Sequence, residues 1–224
     1  MTDERTFLRL LFDAAVAAAS PAACVPLWLE EKPAGRVIIV GAGKAAASMA
    51  TIIEQQWGAP LEGLVIVPDG HGSDCDYVEV VEASHPVPDE RGVAATRRIL
   101  DLVSGLEPDD TVVCLLSGGG SSLLCAPAPG ITLEEKRART HELLRSGAPI
   151  HEINAARREM SAVKGGKLAA ACAPARVITL IISDVPGNDP SVVASGPTLT
   201  DAVSARDADV RILATSDDAL QAAA

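Results

Sequence analysis

Aromatic side chains are nearly missing from this 224-residue chain: two Trp, two Phe and one Tyr, 2% of its residues. The interior must be aliphatic. With hydrophobic residues at 48%, there is enough of it to fill one large domain, or one and a half small ones. Positive charge is also scarce. Nineteen Lys and Arg face thirty Asp and Glu, giving a formal charge of −11 and a sequence pI of about 4.8. This argues against a nucleic acid or an anionic membrane as the main partner. An anionic ligand has to be held by local lysines and backbone amides, against the global field. The five cysteines are scattered, odd in number and without a CxxC pair, which excludes a disulfide framework and a zinc site of that kind. Cys114 and Cys125 lie among apolar neighbours and are expected in the core. A reducing cytoplasm fits this usage. No apolar run reaches the roughly 18 residues of a membrane span. The stretch RLLFDAAVAAASPAAC imitates a signal sequence, but Asp3, Glu4 and Asp13 are wrong for export. Phe7, Leu10, Leu11, Ala14, Ala15 and Ala18 recur at helical spacing instead and predict an amphipathic helix.

Beyond this helix, strand and helix patterns alternate. RVIIV, GLVIVPDG, YVEVVEAS, TVVCLLS, ARVITLIIS and VRILATS read as strands. Helices are expected from Lys44 to Trp57, Arg91 to Val103, Thr132 to Ser146 and His151 to Met160, with further ones after the glycine turns and at DDALQAAA. Most strands are continuous apolar runs, so both faces of the sheet are covered. The expected class is α/β: a Rossmann-like layered fold with a mostly parallel sheet and helices on both faces. In such sheets ligands sit at the carboxyl ends of the strands, where glycine and polar loops come after Val40, Leu116 and Ile182. The terminal QAAA stops inside a helical pattern with no cap, as a truncated chain would.

Four stretches could carry chemistry. VGAGKAA fits the loose G-x-G-x-x-A dinucleotide fingerprint, with Gly41 and Gly43 in the turn and Asp69 placed 26 residues on, where a ribose-binding acid could sit. A compact turn would read the same way. Lys44 adds a cation where a helix dipole disfavours one, which suits a phosphoryl group. The second stretch is SGGGSSL. Gly118, Gly119 and Gly120 permit positive φ and convergent amides, and Ser117, Ser121 and Ser122 add hydroxyls, so the loop is shaped for phosphate oxygens. It has neither the Walker ending nor a nucleophile elbow. Third, SAVKGGKLA sets Lys164 and Lys167 around Gly165 and Gly166, with Arg157 and Arg158 upstream. Last, SDVPGNDPSVVASGPT is a 16-residue loop holding Asp184, Asn188 and Asp189. Its carboxylates could hold Mg²⁺, accept a proton from a substrate hydroxyl, or merely cap local backbone as Asx-turns. His85 precedes a proline, and no Ser-His-Asp or metal-binding histidine set is evident.

Five stretches together, VGAGKAA, ASHPVPDERG, LLSGGGSSLL, HEINAARREMSAVKGGKLA and SDVPGNDPSVVASGPT, resemble the glycerate 2-kinase family, also recorded as hydroxypyruvate reductase-like or MOFRL-associated. They keep the family's order from about Arg36 to Thr200. The resemblance implies ATP-dependent phosphorylation of D-glycerate on its 2-hydroxyl, with Mg²⁺. It casts Lys44, Asp184 and Asp189 as catalytic, the two aspartates also as metal ligands. Gly41, Gly43, Ser117 to Ser122, Lys164, Gly165 and Gly166 fall to the nucleotide, and His85, Arg157 and Asn188 to the substrate. It implies residues 1–202 as the large N-terminal domain, 203–224 as its shortened end, and the family's C-terminal domain as absent. The stretch between SGPTLTD and VRILATS is shorter than the family's usual one. Two other functions remain open: an NAD(P)H-dependent hydroxypyruvate reductase, and a non-catalytic nucleotide- or sugar-phosphate-binding domain. Alanine-rich helices offer a face for a homodimer.

Overall fold

The structure is a computed structural model of the chain and describes residues 3–147, 149–199 and 209–224. The shortened stretch before VRILATS lies outside the described residues. Six strands form one all-parallel sheet: β1 (Val37–Ala42), β2 (Glu62–Pro68), β3 (Val78–Ala83), β4 (Thr111–Leu116), β5 (Arg176–Ser183) and β6 (Asp209–Thr215). Their order is β3-β2-β1-β4-β5-β6, the order of doubly wound dinucleotide-binding sheets. The chain starts at β1, winds outward to β3, and then crosses back to β4. The direction reverses between β1 and β4, and a crevice opens there above their carboxyl ends.

The central strands bury every residue, and successive side chains go to opposite faces. Ile38, Val40, Val112, Cys114 and Leu116 face one core with α4 (Glu90–Leu102), α5 (Gly120–Leu123) and α8 (Lys167–Ala171). Val37, Ile39, Val113 and Leu115 face the other, with α3 (Ala46–Trp57). Both cores are aliphatic, and Cys114 and Cys125 are fully buried in accord with their apolar neighbours. β3 alternates in sequence because it is an edge strand, exposed at Glu79 and Glu82. Glu54 of α3 ties that edge down: its buried carboxylate accepts the amides of Asp76, Tyr77 and Val78 at 2.7, 2.8 and 2.6 Å.

The N-terminal helix forms as α1 (Glu4–Ala18), capped by Asp3, and leads into α2 (Pro21–Cys24). Its apolar side chains remain exposed, Phe7, Leu8, Leu10 and Phe12 all by more than half. It packs against α9 (Ser216–Ala222). Helices α6 (Leu133–Arg145) and α7 (Ile150–Glu159) pack together and bring α7 over the crevice.

Candidate functional site

The turn after β1 is a clasp. Gly41 is not in the turn but inside β1, where a Cβ would stand 2.1 Å from the Leu115 carbonyl of β4. Gly43 donates its amide to Ile66 O (3.0 Å), Lys44 to Gly118 O (2.9 Å) and Ala45 to Ser117 Oγ (3.0 Å). These successive amides, which the dinucleotide fingerprint would aim at a pyrophosphate, are already taken. Lys44 lies just before α3 rather than in its first turn, and its side chain is exposed.

The glycine loop after β4 has three glycines for three different neighbours. A Cβ at Gly118 would lie 2.1 Å from Asp184 Oδ2. At Gly119, with φ +88°, it would meet the His85 ring at 3.0 Å. At Gly120 it would meet Ala42 O at 2.8 Å and Ala194 Cβ at 3.0 Å. Asp184 and His85 thus close on the loop in van der Waals contact. The amides of Gly118 and Gly119 find no acceptor among the described residues. Ser122 turns its hydroxyl back to Gly119 O (3.1 Å).

Beside this loop runs a strained segment. Ala194, Ser195 and Gly196 have φ of 51°, 62° and 61°, and the two non-glycine residues cost about 1–2 kcal/mol each. The KGG turn holds them through three successive bonds: Lys164 Nζ to Ala194 O (3.0 Å), Gly165 N to Ser195 O (3.2 Å) and Gly166 N to Gly196 O (2.8 Å). Lys164 therefore lies fully buried beneath the site instead of on its rim. Burial, with Lys136 nearby, pushes its ammonium well below the usual range. Lys167 turns away as well and caps the end of α7 through Arg158 O (2.8 Å) and Ser161 O (2.5 Å), at the helix end that the dipole favours for a cation.

Between the two loops lies a cleft of about 150 Å³, lined by Ser117, Gly118, Gly119, Ser121, Asn154, Arg157, Asp184 and the apolar Val185 and Val192 to Ala194. Asn154 was not among the residues expected from sequence. It is 2% exposed. Its Oδ1 accepts from Ser195 Oγ and Arg157 Nη1, both at 3.4 Å, which fixes the amide's orientation, and its Nδ2 has no partner among the described residues. The signal was available: Asn154 and Arg157 stand three apart in HEINAARRE, on one face of a helix. Arg157 forms no ion pair among the described residues, and burial depresses its pKa. Ser195 Oγ also meets Ser121 Oγ at 3.0 Å.

His85 and Lys44 flank the glycine loop without lining the cleft. Burial lowers the His85 pKa, Lys44 and His71 lower it further, and Asp184 opposes them. Asp184 is an exposed carboxylate. Asp189 instead accepts the Ser191 amide (2.8 Å) as an Asx-turn, and Asn188, at φ 53°, shapes the same loop. Among the described residues no group of three His, Cys, Asp or Glu could hold a metal. A single carboxylate still fits Mg²⁺, which commonly takes one or two and fills the rest with phosphate oxygens and water. Asp69 is gripped by Arg91 through both terminal nitrogens, at 2.7 and 2.9 Å. A larger groove of about 550 Å³ lies at the amino ends of β1, β2 and β3, but its arginines 36 and 98 are already paired with Glu62 and Glu79.

Known proteins resemble this chain in sequence and fold. An Agrobacterium vitis protein with a provisional hydroxypyruvate reductase name is 52% identical over 91% of this chain and 47% of its own. The D-glycerate 2-kinase of Thermotoga maritima is 47% identical over 77% of this chain and 42% of its own. The crystal structure of the Thermotoga maritima glycerate kinase superposes with a TM-score of 0.86 at 34% identity, over 98% of this chain and 61% of the other. The chain thus spans about half the length of the curated relatives it matches. The family described as a domain of unknown function, DUF4147, matches residues 7–222, and the chain belongs to it.

Proposed function

We propose that the protein is an ATP-dependent kinase that phosphorylates D-glycerate on its 2-hydroxyl, and that this chain supplies the anion-binding half of its site. One observation carries the reading. At the switch point of the sheet a glycine loop keeps two amides without acceptors among the described residues, beside an Asn154 amide that finds no acceptor there and an Arg157 that finds no carboxylate there. Phosphoryl transfer needs positioning and charge neutralisation more than covalent help, and these groups are of that kind. Lys44 reaches out beside the loop to meet the transferred phosphoryl. Asp184 would accept the proton of the 2-hydroxyl or help to hold Mg²⁺, whose charge would neutralise phosphate oxygens.

Relatives named as glycerate kinases favour a kinase on this substrate, though two others carry the reductase name. A reductase on the β1 turn is disfavoured by the turn itself. The amides of Gly43, Lys44 and Ala45 are occupied, and Asp69 is bound to Arg91. We read the protein as cytoplasmic, in line with its free cysteines. ADP release from Mg-ATP with D-glycerate, together with phosphorus NMR of the product, tests it on the full-length protein. 2-Phosphoglycerate supports it. Turnover of NADPH with hydroxypyruvate and none of ATP refutes it.

A further inference from the structure

Resting on that reading, we propose that the cleft between Asn154, Arg157 and the glycine loop takes the carboxylate of a short 2-hydroxy acid, and that the nucleotide phosphates lie outside it, on the Lys44 and His85 side of the loop.

Size is the first reason. A cleft of about 150 Å³ equals roughly five waters at about 30 Å³ each. A three-carbon acid fits such a space, and a whole nucleotide exceeds it. The donors are the second reason. Asn154 is almost completely buried, its orientation is set by Ser195 and Arg157, and its Nδ2 has no partner among the described residues. A buried amide N–H without an acceptor is costly, so this atom calls for a ligand oxygen in the cleft. Arg157, one turn on, is free of carboxylates among the described residues and offers a planar fork that matches a carboxylate. The third reason is Asp184. Its carboxylate rests against Gly118 in the cleft wall. A polyanionic phosphate chain within this small space would need a cation between it and that carboxylate. A monoanionic acid held by Arg157 and Asn154 leaves only its hydroxyl to meet Asp184. His85, against Gly119, and Lys44, whose charge acts on His85, are not in the cleft wall and remain for phosphate.

The test uses the full-length protein, with calorimetric titration of D-glycerate, its neutral amide glyceramide, glycolate, inorganic phosphate and Mg-ATP. D-Glycerate is expected to bind at least tenfold more tightly than glyceramide. Asn154→Asp should weaken D-glycerate about a hundredfold and change Mg-ATP less than threefold. Arg157→Lys, which keeps the charge but loses the fork, should cost the acid about tenfold and serves if the first variant does not fold. Equal or greater losses for Mg-ATP or inorganic phosphate overturn the assignment, as does unaltered D-glycerate binding. Should wild-type protein bind glycolate in an Arg157-dependent way yet never phosphorylate D-glycerate, the kinase reading falls and the carboxylate site stands. Should it bind no hydroxy acid, the carboxylate site falls.

Discussion

Replacing Lys164 by Met should leave global stability at pH 7 within about 2 kcal/mol of wild type, because two effects oppose each other. The change strips Ala194 O of its 3.0 Å donor, and a hydrogen bond to a charged group contributes about 1.5–3 kcal/mol. It also removes a buried cation. Each unit by which a lysine's folded pKa falls below its unfolded value costs about 1.4 kcal/mol, and Lys164 lies well below 10.5. Between its folded and unfolded pKa values the unfolded chain binds more protons than the native one. Wild-type stability therefore rises with pH through that window and levels off above it. Methionine has no such slope, so the difference between the two proteins should move in favour of wild type from pH 7 to pH 10. Urea melts of both proteins at each pH measure this, and the thiols and other groups common to both cancel. Hydrogen exchange of the Gly165 and Gly166 amides gives a second readout. Both donate to the strained segment that Lys164 holds, and both should exchange faster in the variant. A difference that stays constant from pH 7 to 10 refutes the desolvated lysine. Unchanged exchange refutes its role in holding the segment.

Lys44→Ala, at an exposed side chain, should shift the melting temperature little. It should lower kcat of the full-length protein about a hundredfold, or roughly 3 kcal/mol of transition-state stabilisation. Gly119→Ala meets the His85 ring at 3.0 Å from a φ of +88°. It should cost about 1–2 kcal/mol in urea unfolding and displace His85, visible as a shift of its imidazole NMR signals. Glu54→Gln leaves one of three amides facing an amide instead of a carboxylate oxygen. It should destabilise the chain by about 3 kcal/mol, with exchange at Asp76 to Val78 accelerated before the central strands open.

The layered sheet was legible because its determinants are local and repeated. Six apolar strands between helical stretches leave few arrangements, and a right-handed crossover rule removes most of the rest. Cys114 and Cys125 were equally plain from their neighbours. Strand ends were less so: the first strand runs past Val40 to Ala42 and takes Gly41 with it. Gly41 is a glycine because Leu115 O is 2.1 Å from where its Cβ would be, and no sequence pattern says which residue will lie opposite. The same limit hid the role of Lys164. Sequence gives a lysine beside two glycines at a helix start, which suits phosphate. Only the fold places the Ala194 to Gly196 carbonyls, three left-handed residues in a row, above that turn.

The three glycine motifs therefore divide the work differently from how their composition suggests. Glycines permit bound anions, but they also permit close approach of protein to protein, and the second use dominates in VGAGKAA and KGG, whose amides are all engaged within the chain. Only in SGGGSS do both uses coincide. Gly118 and Gly119 admit Asp184 and His85 against the loop and still keep their own amides without acceptors among the described residues. A loop that must hold a carboxylate wall on one flank, an imidazole on the other and two unpaired N–H groups between them cannot carry a side chain at either position. The strained segment next to it has to be rigid for the same reason, since Ser195 links Ser121 to Asn154. The buried lysine beneath is then a structural requirement of the anion site above, and loosening it should disturb acid binding before it disturbs the sheet.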